Sequence, residues 1–304
     1  MKPFSLFSAA IAISAALAGP LVAQDIASDV TPAADFAVGP QYDTNHVYVA
    51  PDQFDTFVTS FQATFGGTTS PQGQFQVTPT TSKTKSQLVL TPAGTISVFG
   101  FMTPVPYPFG AERTGYLVSD IDAAAASAVA HGAMRLVDTF PDPIGRDVVV
   151  QWPGGVNMQL YTHTKKPIVT PLESVPENRI YLTADAADAF VTSWSGFAHA
   201  EITSDMPDAD GAGIGMPGTT YRQISLTSGY GDMQVIVTDG QLPWPYGRDM
   251  MGYEVADLNA TLDRARAAHV ETLVAPHKAG ARMSAMVQFP GGHIAEIHSA
   301  GDKS

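Results

Sequence analysis

PGGVNMQLYTH at residues 153–163 returns as PGGHIAEIHSA at residues 290–300. Each phrase sets a Pro-Gly-Gly turn before a strand-like run, and each places one long polar side chain inside that run, Gln159 in the first and Glu296 in the second. Successive side chains of a strand point to opposite faces. Met158 and Leu160, or Ala295 and Ile297, form the apolar set. Gln159 and Glu296 therefore face the other way, with Tyr161 and His163 beside the first and His298 beside the second. The residue that changes between the copies lies on the face where a cavity would be tuned.

Working outward, the chain is a tandem duplication. NHVYVAPDQFDTFVTSFQATF at residues 45–65 aligns without gaps with NRIYLTADAADAFVTSWSGFA at residues 178–198, and residues 106–124 align with residues 243–261. A finer repeat, Tyr-x-x-x-Asp, occurs at Tyr48/Asp52, Tyr116/Asp120, Tyr181/Asp185 and Tyr253/Asp257. A short apolar strand precedes each pair, and a helical pattern with two or three strand-like runs follows. The expected unit is βαβββ, present four times in an α+β fold. The recurrent Asp is read as a helix N-cap, because its carboxylate can accept from the unpaired N–H groups of the first turn. On the first strands Val47, Val49, Ile180 and Leu182 take the helix side, which turns His46, Tyr48, Arg179 and Tyr181 inward. Residues 67–87 are expected as a long loop, and the stretch around residues 166–177 as a linker between a first module, 41–165, and a second, 178–300.

Composition narrows the chemistry. Residues 1–23 combine an early Lys2, an apolar run and small residues near Ala18 and Ala23, the pattern of a secretory signal peptide, so a periplasmic or secreted location is expected. No later stretch is apolar enough to predict membrane insertion after cleavage. There is no cysteine, which removes disulfides and thiol chemistry. A net charge of -13 and a pI near 4.8 argue against a nucleic-acid partner. No G-x-S-x-G elbow, H-E-x-x-H or P-loop is present, and His131, His199, His269 and His277 lack partners at useful spacing. The loops PYPFG and PWPYG place Tyr107, Phe109, Trp244 and Tyr246 at an expected rim.

Four βαβββ units in two pairs, with D-[IL]-[DN]-A after the first strand of the second and fourth units and P-G-G-x-x-x-[QE]-[LI] at their last strands, resemble the vicinal oxygen chelate superfamily, which includes glyoxalase I, bleomycin-resistance proteins and extradiol dioxygenases. The resemblance spans residues 45–300. It implies two tandem cupped half-barrel modules, with any metal held in a cup by a first-strand residue and a last-strand Glu. The corresponding columns here are His46, Thr114, Arg179 and Met251, and Ser97, Gln159, Gln234 and Glu296. If units one and four share a cup, the resemblance implies a divalent metal (Fe, Ni, Zn or Mn) on His46, Glu296 and His298, with His46 and Glu296 catalytic in a lyase or dioxygenase. If neighbours pair, one cup offers only His46 and Gln159 and the other Glu296 with His298, and Glu296 is then read as an ion-pair partner of Arg179 or of Arg282. The protein is then a metal-free small-molecule binder of the bleomycin-resistance type, with no cofactor. Its ligand contacts would be Tyr48, Tyr116, Tyr181, Tyr253, Gln159 and, for an anionic group, Arg179. A structural envelope module is the third reading. Monomer and homodimer both stay open.

Overall fold

Each expected unit folds as one strand, one helix and a run of further strands. The structure is a computed structural model that describes residues 35–165 and 167–301; the signal-peptide expectation lies outside them. Unit one comprises β1 (Thr44–Tyr48), α1 (Phe54–Phe65), two short strands β2 (Thr68–Thr69) and β3 (Gly73–Phe75), β4 (Thr84–Thr91) and β5 (Gly94–Phe101). Unit two is β6 (Thr114–Leu117), α2 (Ile121–Ala130), β7 (Met134–Pro141), β8 (Gly145–Trp152) and β9 (Val156–His163). Unit three is β10 (Glu177–Leu182), α3 (Ala184–Ala198), β11 (Glu201–Asp210), β12 (Thr220–Ser228) and β13 (Gly231–Val237). Unit four is β14 (Met251–Glu254), α4 (Leu258–Ala267), β15 (Glu271–Ala279), β16 (Arg282–Gln288) and β17 (Ile294–Ala300). The stretch expected as a long loop is therefore partly paired, since β2 and β3 both add antiparallel to β4.

Neighbouring units share a sheet. The first sheet runs β2-β4-β5-β1-β6-β9-β8-β7 and the second β11-β12-β13-β10-β14-β17-β16-β15. Within each, the units meet along their first strands, antiparallel: Thr44 opposite Gly115 in one, Glu177 opposite Gly252 in the other. Units one and four thus do not share a cup. They share a core. Phe54, Phe57 and Phe61 of α1 join Leu258 and Leu262 of α4 and Phe289 and Ile297 in one buried cluster, and a second cluster joins α2, β8 and β9 to Phe190, Trp194 and Val235 of unit three. Burying each such side chain stabilises by about 1.5–3 kcal/mol, so both cores draw on both modules.

Polar contacts cross the seam beside both cores. Asn45 donates to the Tyr253 hydroxyl at 3.3 Å, and Asn178 to that of Tyr116 at 2.8 Å. The cap expectation holds for two of the four recurrent aspartates. Asp120 accepts from the backbone of Asp122 and Ala123, and Asp257 from Ala260. Asp52 is not a cap, because α1 begins after Gln53, and Asp185 lies inside α3, after Thr183. No helix among the described residues is long and apolar enough to cross a membrane.

Candidate functional site

Strand register decides which side chains enter a cup. In the first sheet His46 lies level with Ser97 on β5, and Gly115 on β6 lies level with Gln159 on β9. In the second, Arg179 is level with Gln234 and Gly252 with Glu296. The cup-facing residue of β6 and β14 is thus a glycine, and the expected column residues Thr114 and Met251 point the other way. A Cβ on Gly115 would fall 2.5 Å from His46 Nε2, and one on Gly252 would fall 2.8 Å from Glu296 Oε2 and 2.9 Å from Arg179 Nη2. The bare backbone lets the first-strand side chain lie across the floor. Tyr116 and Tyr253, expected as ligand contacts, are one residue further on and belong to the cores against Trp194 and Phe61. Tyr48 and Tyr181 do face the cups, each hydrogen-bonded to an acid of the loop before β6 or β14, Glu112 and Asp249.

His46, Glu296 and His298 do not converge. His46 belongs to the first cup, Glu296 and His298 to the second. In the second cup a buried ion-pair lattice fills the floor. Arg179 Nη2 donates to Glu296 at 2.8 Å and Nη1 to Asp249 at 3.0 Å, while Glu177 lies 3.4 Å away. Arg282 donates through both Nη atoms to the two oxygens of Glu177, each at 2.8 Å. Glu296 also accepts from Ser284 at 2.6 Å and contacts His298 at 2.7 Å. Burial alone would push the Glu296 carboxyl up, but Arg179 and then His298 outweigh it and hold the pKa at about 2. Desolvation raises Asp249 above the usual carboxylate range despite Arg179.

The first cup is open where the second is filled. At the positions of Glu177, Arg179, Arg282 and Ser284 it carries Thr44, His46, Gly145 and Asp147. A cavity of about 280 Å³ results, walled by Tyr48, Phe75, Phe99 and Phe109, with His46, Asp147, Gln159 and Tyr161 on its floor. That is near the lower end of the range for small-molecule sites, roughly 300–1,000 Å³. The linker contributes too, since Pro167, Ile168 and Val169 border the mouth. His46 Nδ1 stands 3.5 Å from Glu112 Oε1, and Glu112 Oε2 is buried without a hydrogen-bond partner. Burial, with Asp142 nearby, keeps the Asp147 carboxyl well above its ordinary range, although Gln159 donates to it.

Neither a protein-family model nor a curated protein matches the sequence. Solved structures do match in three dimensions. A triple mutant of 4-hydroxymandelate synthase from Streptomyces coelicolor superposes with a TM-score of 0.57 at 13% identity, covering 90% of this chain and 94% of the other. The Mn(II)-bound glyoxalase from Novosphingobium aromaticivorans gives 0.53 at 14% identity, over 88% and 83%. A variant of homoprotocatechuate 2,3-dioxygenase from B. fuscum gives 0.55 at 12%, over 90% and 73%. The chain has the tandem vicinal oxygen chelate fold.

Whether this chain suits a metal is decided by its donors. Glu177, Glu296 and His298 are buried and each offers a ligand atom within 4.8 Å of the others, a set that by type and spacing could hold a divalent ion. Glu177 takes the place that His46 was expected to fill. Yet both oxygens of Glu296 and both of Glu177 already accept from Ser284, Arg179, His298 or Arg282. Arg179 Nη2 sits between the two carboxylates, and a guanidinium cannot give up its charge. An ion placed there would have to evict Arg179 and lie beside Arg282. As arranged, the residues fit a guanidinium and not an added metal. Sequence reasoning placed Arg179 and Glu296 in the cups and offered Arg179 as one of two ion-pair partners for Glu296. It missed Glu112, Asp249 and Glu177, whose signal was their place in the duplication, Glu112 aligning with Asp249 two residues before the strand that carries the glycine.

Proposed function

We propose that this protein binds a small molecule in its first cup without a metal, and that the second cup is closed by its own ion pairs. The observation that supports this most is the contrast at one aligned position: His46 borders a cavity of about 280 Å³, whereas Arg179 fills the matching place with a guanidinium. Aromatic walls supply contact area at small entropic cost, and a few polar groups on the floor fix orientation. Phe99 and Phe101 both stack on Tyr48, with centroids 5.2 and 6.0 Å from it, so that side of the cup is in place before a ligand arrives. Export of the mature chain is part of the same proposal, carried by residues 1–23; an intact mass that retains those residues after expression would remove it.

Two measurements test the binding reading. Ser97 borders the cavity beside His46, so Ser97→Phe is expected to fill the cup and abolish ligand-observed saturation-transfer signals while far-ultraviolet circular dichroism is unchanged. After incubation with excess Mn, Zn, Ni or Fe and gel filtration, the wild type is expected to retain below about a tenth of an equivalent. Ligand signals that survive Ser97→Phe would remove the first cup as the site. A full equivalent of bound metal would restore the metalloenzyme reading.

A further inference from the structure

We propose that the first cup selects small molecules bearing a positive charge, an ammonium or guanidinium head on an apolar or aromatic body. This rests on the first cup being the ligand site and adds its charge class. Among the described residues no Lys or Arg borders the cavity, and its basic side chains are His46 and His163. Burial lowers the His163 pKa, which favours the neutral imidazole. Against these stand Asp147 on the floor, 5% exposed, and Asp142 at the mouth. Behind His46 lies the fully buried Glu112, one of whose oxygens has no hydrogen-bond partner.

The second cup shows how this chain neutralises such a floor. Its acids Asp249, Glu296 and Glu177 are matched by Arg179 and Arg282 from the adjacent strands. The duplication aligns Arg179 with His46 and Arg282 with Gly145, so the first cup keeps acids of its own while lacking both built-in cations. Burial disfavours the charged form of Asp147, and a ligand cation hydrogen-bonded to it would favour the carboxylate and offset the cost of burying that charge. A ligand cation entering the first cup would stand where the second holds a guanidinium. The cavity's aromatic faces, Tyr48 and Phe99 among them, favour the same charge through cation–π contact.

The test compares matched probes: benzylammonium, benzyl alcohol and benzoate, with their 2-phenylethyl homologues, titrated into the wild type at pH 7 and low salt by calorimetry and saturation-transfer NMR. The ammonium probes are expected to bind at least about tenfold more tightly than the alcohols, with carboxylates weakest, as for a charged hydrogen bond in a dry site. Asp147→Asn should lose most of that preference and leave the alcohols within about twofold. His46→Arg should plug the cup and abolish binding by all probes. If Asp147→Asn does not fold, Asp142→Asn at the mouth should reduce the same preference. Alcohols or carboxylates that equal the ammonium probes would overturn the charge class and leave the cup as a ligand site. Failure of every probe to bind the wild type, or binding undisturbed by Ser97→Phe, would overturn the underlying reading as well.

Discussion

At the scale of single residues, one substitution separates the two cups. His46 and Arg179 occupy the same strand position over equivalent glycines, yet the guanidinium gathers Glu296, Asp249 and Glu177 around itself while the imidazole has one ion-pair contact among the described residues, to Glu112. Arg179→Met, which removes the charge and keeps much of the volume, should cost about 3–5 kcal/mol in urea unfolding, because three buried carboxylates lose their shared cation. Arg179→His is expected to admit close to one equivalent of Zn or Ni where the wild type is expected to retain below about a tenth, since a neutral imidazole then joins Glu177, Glu296 and His298 as fourth donor; an empty variant would show that the lattice is closed for reasons beyond Arg179. Much of this was legible before the structure. Alternation placed His46, Tyr48, Gln159, Arg179 and Glu296 inside the cups correctly, because period two is stamped on the strand itself. It failed at Tyr116 and Tyr253. Their strands have four residues each, too few for the pattern to fix its own phase, and a glycine on the cup face reads as no signal at all.

At the scale of elements, the caps and the turn before β17 make opposite kinds of statement. Asp120→Ala should destabilise by about 1 kcal/mol, whereas Asp52→Ala, exposed and outside the helix, should stay within about 0.5 kcal/mol. Equal costs would mean that α1 is capped differently in solution. The recurrent Tyr-x-x-x-Asp could not tell these cases apart, because helices in units one and three start at different offsets from the same motif. His293 lies between the turn and β17, packed edge-on against Phe57 at 5.8 Å and tilted against Phe289 at 6.1 Å. Burial lowers its pKa from an ordinary 6.5 to about 4. The unfolded chain therefore takes up this proton first as the solution is acidified. The stability tied to neutral His293 is complete above pH 6.5 and declines as pH falls toward 4. His293→Phe should flatten that part of the unfolding free energy against pH. An unchanged slope would place the titration elsewhere.

At the scale of the molecule, the sheets follow the order of the chain but the cores do not. Units one and two build one sheet, yet unit one buries its helix face with unit four. The duplication announced four units but left open which of them pair, and the structure pairs neighbours along the sequence. Nothing in it announced the crossed cores, which depend on which helix faces complement each other in size. A chain ending near residue 165 would leave Phe57, Phe61 and Ile121 without half of their partners. Residues 35–165 alone are expected to be unfolded or aggregated, to regain structure when mixed with residues 167–301, and the intact chain to melt in a single calorimetric step. Two separate steps would mean that each sheet with its helices is self-sufficient. Because both cores lie behind the sheets, the concave floors carry little of the folding load, apart from the ionic lattice in one of them. The chain is in effect a pair of interchangeable moulds, one cast shut and one left hollow. Exchanging Glu177, Arg179, Arg282 and Ser284 for their counterparts Thr, His, Gly and Asp would hollow the second mould and give a single polypeptide two receptors.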